Sequence, residues 1–231
     1  MRKVVTRDLD IVARIRAAVL QVAVTLVVLA WAPGTVLKAV LLLGFWALLF
    51  LPLRRAEAWM YIGVCVFFTG MNASALKQGI FRFQDPDVLG MPVYELFMWG
   101  FYLLHTKRLL AGAVPTDRRG LAWGLALAYS AAFGAISDAQ LLLIVSGALL
   151  LLALFFFHDG MDLAYVGYMV LLGAVVEYTG VNAGQWSYPG DVPGGVPLWF
   201  ATMWGGIGLF FRRLILPLVE LPDGRGAVRF S

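Results

Sequence analysis

The sequence predicts an all-α, polytopic membrane helix bundle of about eight transmembrane helices, arranged as two tandem four-helix repeats. Three observations lead there. Apolar residue types make up 61% of the 231 residues and charged types only 14%, against roughly a quarter charged in an ordinary soluble domain. The apolar residues fall into runs of the length a bilayer requires, about 20 residues with a floor near 17. A set of short motifs also recurs in the same order in the two halves of the chain.

Dividing the chain at its charged and Pro/Gly punctuation gives spans at residues 15–32, 35–52, 57–75, 91–106, 120–136, 140–157, 163–182 and 197–216. The closest pair, 120–136 and 140–157, is separated only by Ser137, Asp138 and Ala139. Basic residues test the count, because Lys and Arg near helix ends concentrate on the cytoplasmic side. With the N-terminus inside, Arg2, Lys3, Arg7, Arg14, Arg16, Arg54, Arg55, Lys107, Arg108, Arg118, Arg119, Arg212, Arg213, Arg225 and Arg229 are cytoplasmic, and only Lys38, Lys77 and Arg82 lie toward the outer side. Fusing the close pair would invert everything after it and put Arg212 and Arg213 outside.

The first apolar stretch is too long for a signal-peptide core and lacks an A-x-A site, so it reads as a retained helix. The expected location is the bacterial cytoplasmic (inner) membrane, multi-pass, with N- and C-termini cytoplasmic. The net charge of +4 then encodes topology rather than a nucleic-acid partner. The single Cys65 lies within a span, so no disulfide framework or thiolate metal cluster is expected.

The repeat is legible by eye. Thr69-Gly70-Met71-Asn72-Ala73 recurs 110 residues on as Thr179-Gly180-Val181-Asn182-Ala183. Met91-Pro92-Val93-Tyr94 and Met98-Trp99-Gly100 match Val196-Pro197-Leu198-Trp199 and Met203-Trp204-Gly205 at an offset of 105, which implies a second loop five residues shorter. Phe81-Arg82-Phe83 stands opposite Trp186-Ser187-Tyr188, and Lys107-Arg108 opposite Arg212-Arg213. Residues 1–114 and 115–231 are the expected repeats, together one integral membrane domain. Each contains four crossings, so the halves share one orientation about an axis along the membrane normal.

Ionisable residues inside spans are costly and are functional candidates by default. Two stand out, Glu95 and Glu177. On the 110-residue offset Glu177 corresponds to Phe67, and on the 105-residue offset Glu95 corresponds to Phe200, so each half contributes one acid where its twin has a phenyl ring. Gly173, Glu177, Gly180 and Gly184 fall on one helix face, and small residues let neighbouring helices approach closely. Glu95 shares its face with Met98, Trp99 and Tyr102. Asn72 and Asn182 serve either as C-terminal caps or as orienting partners of an acid.

Trp186, Tyr188, Trp199 and Trp204, with Tyr94 and Trp99, form an aromatic group that suits either an interfacial belt or the stabilisation of a cation. The candidate catalytic residues are therefore Glu177 and Glu95, and the candidate substrate-binding residues are Asn72, Asn182, Trp99, Trp186, Tyr188, Trp199 and Trp204. Asp85, Asp87 and Asp191 have no diphosphate-metal spacing, and His105 and His158 form no metal pair. No metal site and no cofactor is expected.

The stretch Glu177-Tyr178-Thr179-Gly180-Val181-Asn182-Ala183-Gly184, with Trp186-Ser187-Tyr188-Pro189 and Gly194-Gly195-Val196-Pro197-Leu198, resembles the carotenoid-biosynthesis family of intramembrane hydratases. It also resembles an uncharacterised polytopic family with a Trp-Ser-Tyr-Pro and Gly-Gly-Val-Pro-Leu signature. Pro92-Val93-Tyr94-Glu95 is similar to the Pro-x-Glu helix of the duplicated lycopene cyclases. The resemblance implies cofactor-free, acid-catalysed hydration or cyclisation of a carotenoid-like isoprenoid, with Glu177 or Glu95 protonating an alkene and aromatic rings shielding the cation. The alternative is a small-solute or proton-coupled transporter or channel with its path between the repeats. A third reading is a non-catalytic assembly partner. Expected partners are a lipid-soluble small molecule and membrane lipids, with homo-oligomers allowed.

Overall fold

The computed structural model describes residues 2–190 and 192–220, with side chains from residue 11 onward. Asp191, Arg225 and Arg229, and the side chains of Arg2, Lys3 and Arg7, lie outside the described residues. The helices are α1 (Arg2–Trp31), α2 (Thr35–Phe50), α3 (Arg55–Lys77), α4 (Glu95–Leu109), α5 (Arg119–Ala135), α6 (Ala139–Phe156), α7 (Gly160–Asn182) and α8 (Trp199–Phe210). One π turn, Phe211–Ile215, joins α8 to a short α9 (Leu216–Glu220). Two short strands, β1 (Arg82–Phe83) and β2 (Trp186–Ser187), lie in the α3–α4 and α7–α8 connections.

Five stretches are long and apolar enough to cross a bilayer: Ile11–Trp31, Arg55–Lys77, Ala139–Phe156, Gly160–Asn182 and Pro193–Glu220. The chain is an all-α, multi-pass membrane bundle. The close pair is two helices, because Ile136 leaves helical geometry and the Asp138 carboxylate caps α6 by accepting from the Leu141 N–H at 2.7 Å. Val19, Leu48 and Phe155, on α1, α2 and α6, are exposed, as a lipid-facing surface requires. Buried aromatic residues concentrate instead on α4 and α8, with Tyr165 on α7.

The two halves follow one offset, 105 residues, from helix to helix. It takes α3 onto α7 end for end. It takes Glu57 onto Asp162, each the third residue of its helix, with a carboxylate that accepts from the backbone N–H of the N-cap residue, Arg54 or Asp159, at 3.2 Å. Both helices then end in the same motif, a left-handed glycine at Gly79 or Gly184. There Ile80 donates to the Ala75 carbonyl and Gln185 to the Gly180 carbonyl. The strands pair antiparallel with Arg82 opposite Ser187, residues 105 apart, as a two-fold axis through the pair demands. Packing repeats as well, α3 on α4 like α7 on α8, and α1 on α7 like α3 on α5.

The 110-residue spacing of the Thr-Gly-x-Asn-Ala motif therefore does not mark equivalent places, and the second loop, 183–198, is one residue shorter than the first, 78–94, rather than five. The structural counterpart of Glu177 is Asn72 rather than Phe67. The boundary after residue 114 falls in the non-helical stretch 110–118.

Opposite the strands, each half ends in a basic pair wrapped around a buried acid. Arg212 and Arg213 both bond Asp162, which has no solvent exposure. Arg213 also reaches Asp117 at 2.7 Å and lies over the Phe157 ring. Lys107 meets Glu57 at 2.9 Å and Glu220 at 2.5 Å, and Arg108 meets Glu57 at 3.4 Å. The π turn begins one residue before Arg212, and Pro217 removes the amide that would bond the Arg213 carbonyl in a regular helix. Sequence reasoning assigned these arginines to topology alone and did not name Glu57 or Asp162. The signal was present in Asp159-x-x-Asp162, a capping pattern at a helix start.

Removing one member of a buried ion cluster leaves the others desolvated and unpaired. Asp162→Ala is expected to cost about 3–5 kcal/mol of stability, read as thermal unfolding in detergent. Asp117→Ala, on the exposed rim of the same cluster, is expected to cost under about 1 kcal/mol.

Candidate functional site

Glu177 lies on the inner face of α7 and is buried. An acid there needs donors, and three side chains from two other segments supply them. The Trp186 indole, on β2, donates to Oε2 at 3.0 Å, and the Tyr188 hydroxyl donates to the same oxygen at 2.7 Å. The Trp204 indole, on α8, donates to Oε1 at 3.1 Å. Two glycines make room for the indoles. A Cβ on Gly173 would stand 2.3 Å from the Trp204 ring, and a Cβ on Gly180 would stand 2.0 Å from the Trp186 ring. The glycine face of α7 therefore seats tryptophan side chains rather than a neighbouring helix backbone.

Glu95 opens α4 and is half-buried. Its Oε1 accepts from the Asn72 amide at 3.0 Å, and among the described residues nothing donates to its Oε2. Trp99, one turn further along α4, stacks on Phe68 at 4.1 Å between ring centres and meets Trp204 at 4.7 Å. Tyr102 stands edge-on to both indoles, 5.8 Å from Trp99 and 5.3 Å from Trp204. The Tyr102 hydroxyl is buried and, among the described residues, has no hydrogen-bond partner. A buried hydroxyl without a partner is costly, and a ligand is one way to supply the partner.

These groups surround a cavity of about 400 Å³. It is walled by α3, α4, α5, α7, α8, the π turn and the residues beside the strands, and among the described residues none of α1, α2 or α6 lines it. Glu95, Glu177, Asn72, Trp99, Trp186, Tyr188, Trp199 and Trp204 all line it. Asn182 does not, and is exposed in the last turn of α7. It stands five residues beyond Glu177, a rotation of about 140° around the helix, which is why the shared motif misleads there. Tyr102, Phe68 and Phe133 complete the aromatic wall.

The polar groups gather toward the strand end, and the apolar lining continues along α8 to Leu214 and Ile215. From Trp199 to Ile215 that is about 24 Å of helix axis. The lining includes Gly63, Phe67, Trp123 and Leu127, exposed residues on the lipid-facing sides of α3 and α5. The cavity is thus a slot open sideways to the bilayer.

Other polar candidates fasten the fold. Asp87 accepts from the Val93 N–H at 2.9 Å, and the Thr35 hydroxyl together with that N–H holds its carboxyl below the usual range. His105 is bonded to Gln21 at 2.7 Å on one ring nitrogen and to the Tyr168 hydroxyl on the other. Among the described residues, no group of three His, Cys, Asp or Glu stands close enough to hold a metal ion.

No protein-family model matches the chain, and neither does any curated protein. The fold aligns with solved structures of MvINS, a mycobacterial Insig homolog from Mycobacterium vanbaalenii. The alignment covers 75% of this chain and 100% of that one, at 19% identity and a TM-score of 0.56. A cross-linked, cysteine-substituted trimer of MvINS aligns over the same shares with a TM-score of 0.55. At that identity the likeness is one of fold.

The resemblance to carotenoid-biosynthesis proteins is thereby corrected, since the fold aligns with an Insig homolog and not with a hydratase, a cyclase or a transporter. The expectation of isoprenoid chemistry built on it is set aside, and so is the separate alternative of a transport path between the repeats. The matching residues were real but local, a helix end, an aromatic strand and a proline-led helix start that serve packing in both halves.

Gly180→Ala is expected to push the Trp186 indole off Glu177 and to cost roughly 1–3 kcal/mol as an overpacked contact. Tryptophan emission and thermal unfolding check it, and Gly70→Ala, where a Cβ meets nothing within 4 Å, serves as the neutral control.

Proposed function

We propose that this protein is an intramembrane binding protein for a lipid-soluble amphipathic molecule, which it holds rather than transforms. One observation carries the reading. The slot is lined almost throughout by apolar and aromatic side chains, opens sideways between α3 and α5, and keeps its polar groups at one end. Ligand cavities of this kind bury an apolar body and orient it with a few convergent polar groups.

The Glu177 carboxyl suits a fixed part of the wall, because both of its oxygens are already engaged by side chains from β2, its flanking loop and α8. Glu95 and Tyr102 are left with free bonding capacity, so they are the contacts a ligand would use. Access from the bilayer fits a molecule that partitions into lipid. The excess of basic residues at the end opposite the strands supports a cytoplasmic location for that end in a bacterial inner membrane, with the polar end of the slot toward the outer leaflet.

Gly63 offers a test of access, since it lies on the lipid-facing rim and a Cβ there meets nothing within 4 Å. Protein purified from native membranes should carry a lipid-extractable molecule at near-equal stoichiometry, read by native mass spectrometry. Gly63→Trp is expected to reduce that occupancy by about fivefold and to remove the thermal stabilisation that a ligand bound only to the folded state provides. Equal occupancy in both proteins, or none in either, would contradict the proposal.

A further inference from the structure

The residues that line the slot include two carboxylic acids and, among the described residues, no Lys, Arg or His. Acids in an apolar environment demand either hydrogen-bond donors or a cation. Glu177 has three donors. Glu95, which lines the cavity, has one, the Asn72 amide, and among the described residues nothing donates to its second oxygen. Two turns further along α4, the buried Tyr102 hydroxyl also has no partner among the described residues. Trp99 is packed between Phe68 and Trp204, and Trp186, Tyr188 and Trp199 complete the aromatic lining. Aromatic faces of this kind attract cations, and do so more strongly where water is excluded.

The ligand classes sort by what this end of the slot lacks. A phosphate or carboxylate head would meet two acids and no lining cation. An uncharged alcohol would satisfy Tyr102 and leave Glu95 without a counter-charge. An ammonium answers both, with N–H donors for the Glu95 oxygen and the Tyr102 oxygen and a counter-charge for the acid.

Resting on the binding role proposed above, we infer that the ligand is an amphipathic amine, its ammonium group between Glu95 and Tyr102 at the aromatic end of the slot, its apolar body along α8. The absence of a lining cation argues against the same ammonium presented on a phospholipid, whose phosphodiester would follow it into the slot.

The test uses full-length protein in lipid nanodiscs and four probes: octadecylamine, octadecanol, octadecanoic acid and phosphatidylethanolamine. Affinity is read from tryptophan fluorescence and confirmed by native mass spectrometry. The amine is expected to bind at least about tenfold more tightly than the alcohol, with the acid and the phospholipid weaker still. Glu95→Gln is expected to reduce amine binding by about tenfold and alcohol binding by less than about twofold, whereas Tyr102→Phe weakens both.

Alcohol binding as tight as the amine's, or tighter, overturns the amine assignment and leaves the binding role standing. Preferential binding of phosphatidylethanolamine overturns it as well, in favour of a headgroup site. Binding of none of the four overturns both. The ratio of amine to alcohol in the unaltered protein decides the question even where a variant does not fold.

Discussion

The arrangement around Glu177 depends on a mutual requirement: an acid buried inside a membrane bundle must be bonded, and the indoles and phenol that bond it must be brought there from elsewhere. Trp186 and Tyr188 come from the strand and loop that follow α7, and Trp204 comes from α8. The carboxyl thus ties one helix to the next and both to the connection between them. Gly173 and Gly180 belong to the same requirement, because the indoles reach the acid only where α7 has no side chain in the way. The wall of the slot at its polar end follows from these bonds.

Duplication explains why a slot forms on one side. The position that holds Gly173 in the second half holds Phe68 in the first. Phe68 fills with its own ring the kind of space that Gly173 leaves for Trp204, and so it stacks on Trp99. Glu177 stands where the first half has Asn72, and Asn72 in turn bonds Glu95, the acid that the second half replaces with Phe200. The polar groups of both halves therefore converge on one cavity, at the α3–α5 side. The basic pairs at the other end have the same partner type in both halves, an acid at the third position of a helix, and they fix the helix ends where the middle of the repeat differs.

Much of this was legible in the sequence. Apolar run lengths and the distribution of Lys and Arg located the eight helices, because both follow directly from the thickness and asymmetry of a bilayer. The cost of an ionisable group in a span singled out Glu95 and Glu177, and helical spacing placed Trp99 and Tyr102 on the same face as Glu95. The repeat register was misread because a matched string, Thr-Gly-x-Asn-Ala, outweighed the helix ends, which only their capping geometry reveals. That slip separated Asn72 from Glu177 and included Asn182. Glu57 and Asp162 were passed over because an acid near a helix start reads as solvent-exposed until a basic pair from a distant helix folds onto it. The family resemblance rested on local packing motifs, which carry no record of what the cavity they enclose contains.

The central claim is that the slot holds an elongated molecule with one polar end. The most direct measurement is an experimental structure in lipid nanodiscs with nothing added. The account predicts continuous non-protein density along α8, with its polar end beside Glu95 and Tyr102 and its tail near Ile215. A slot closed by its own side chains, or filled by a file of water reaching from one aqueous face to the other, would contradict it.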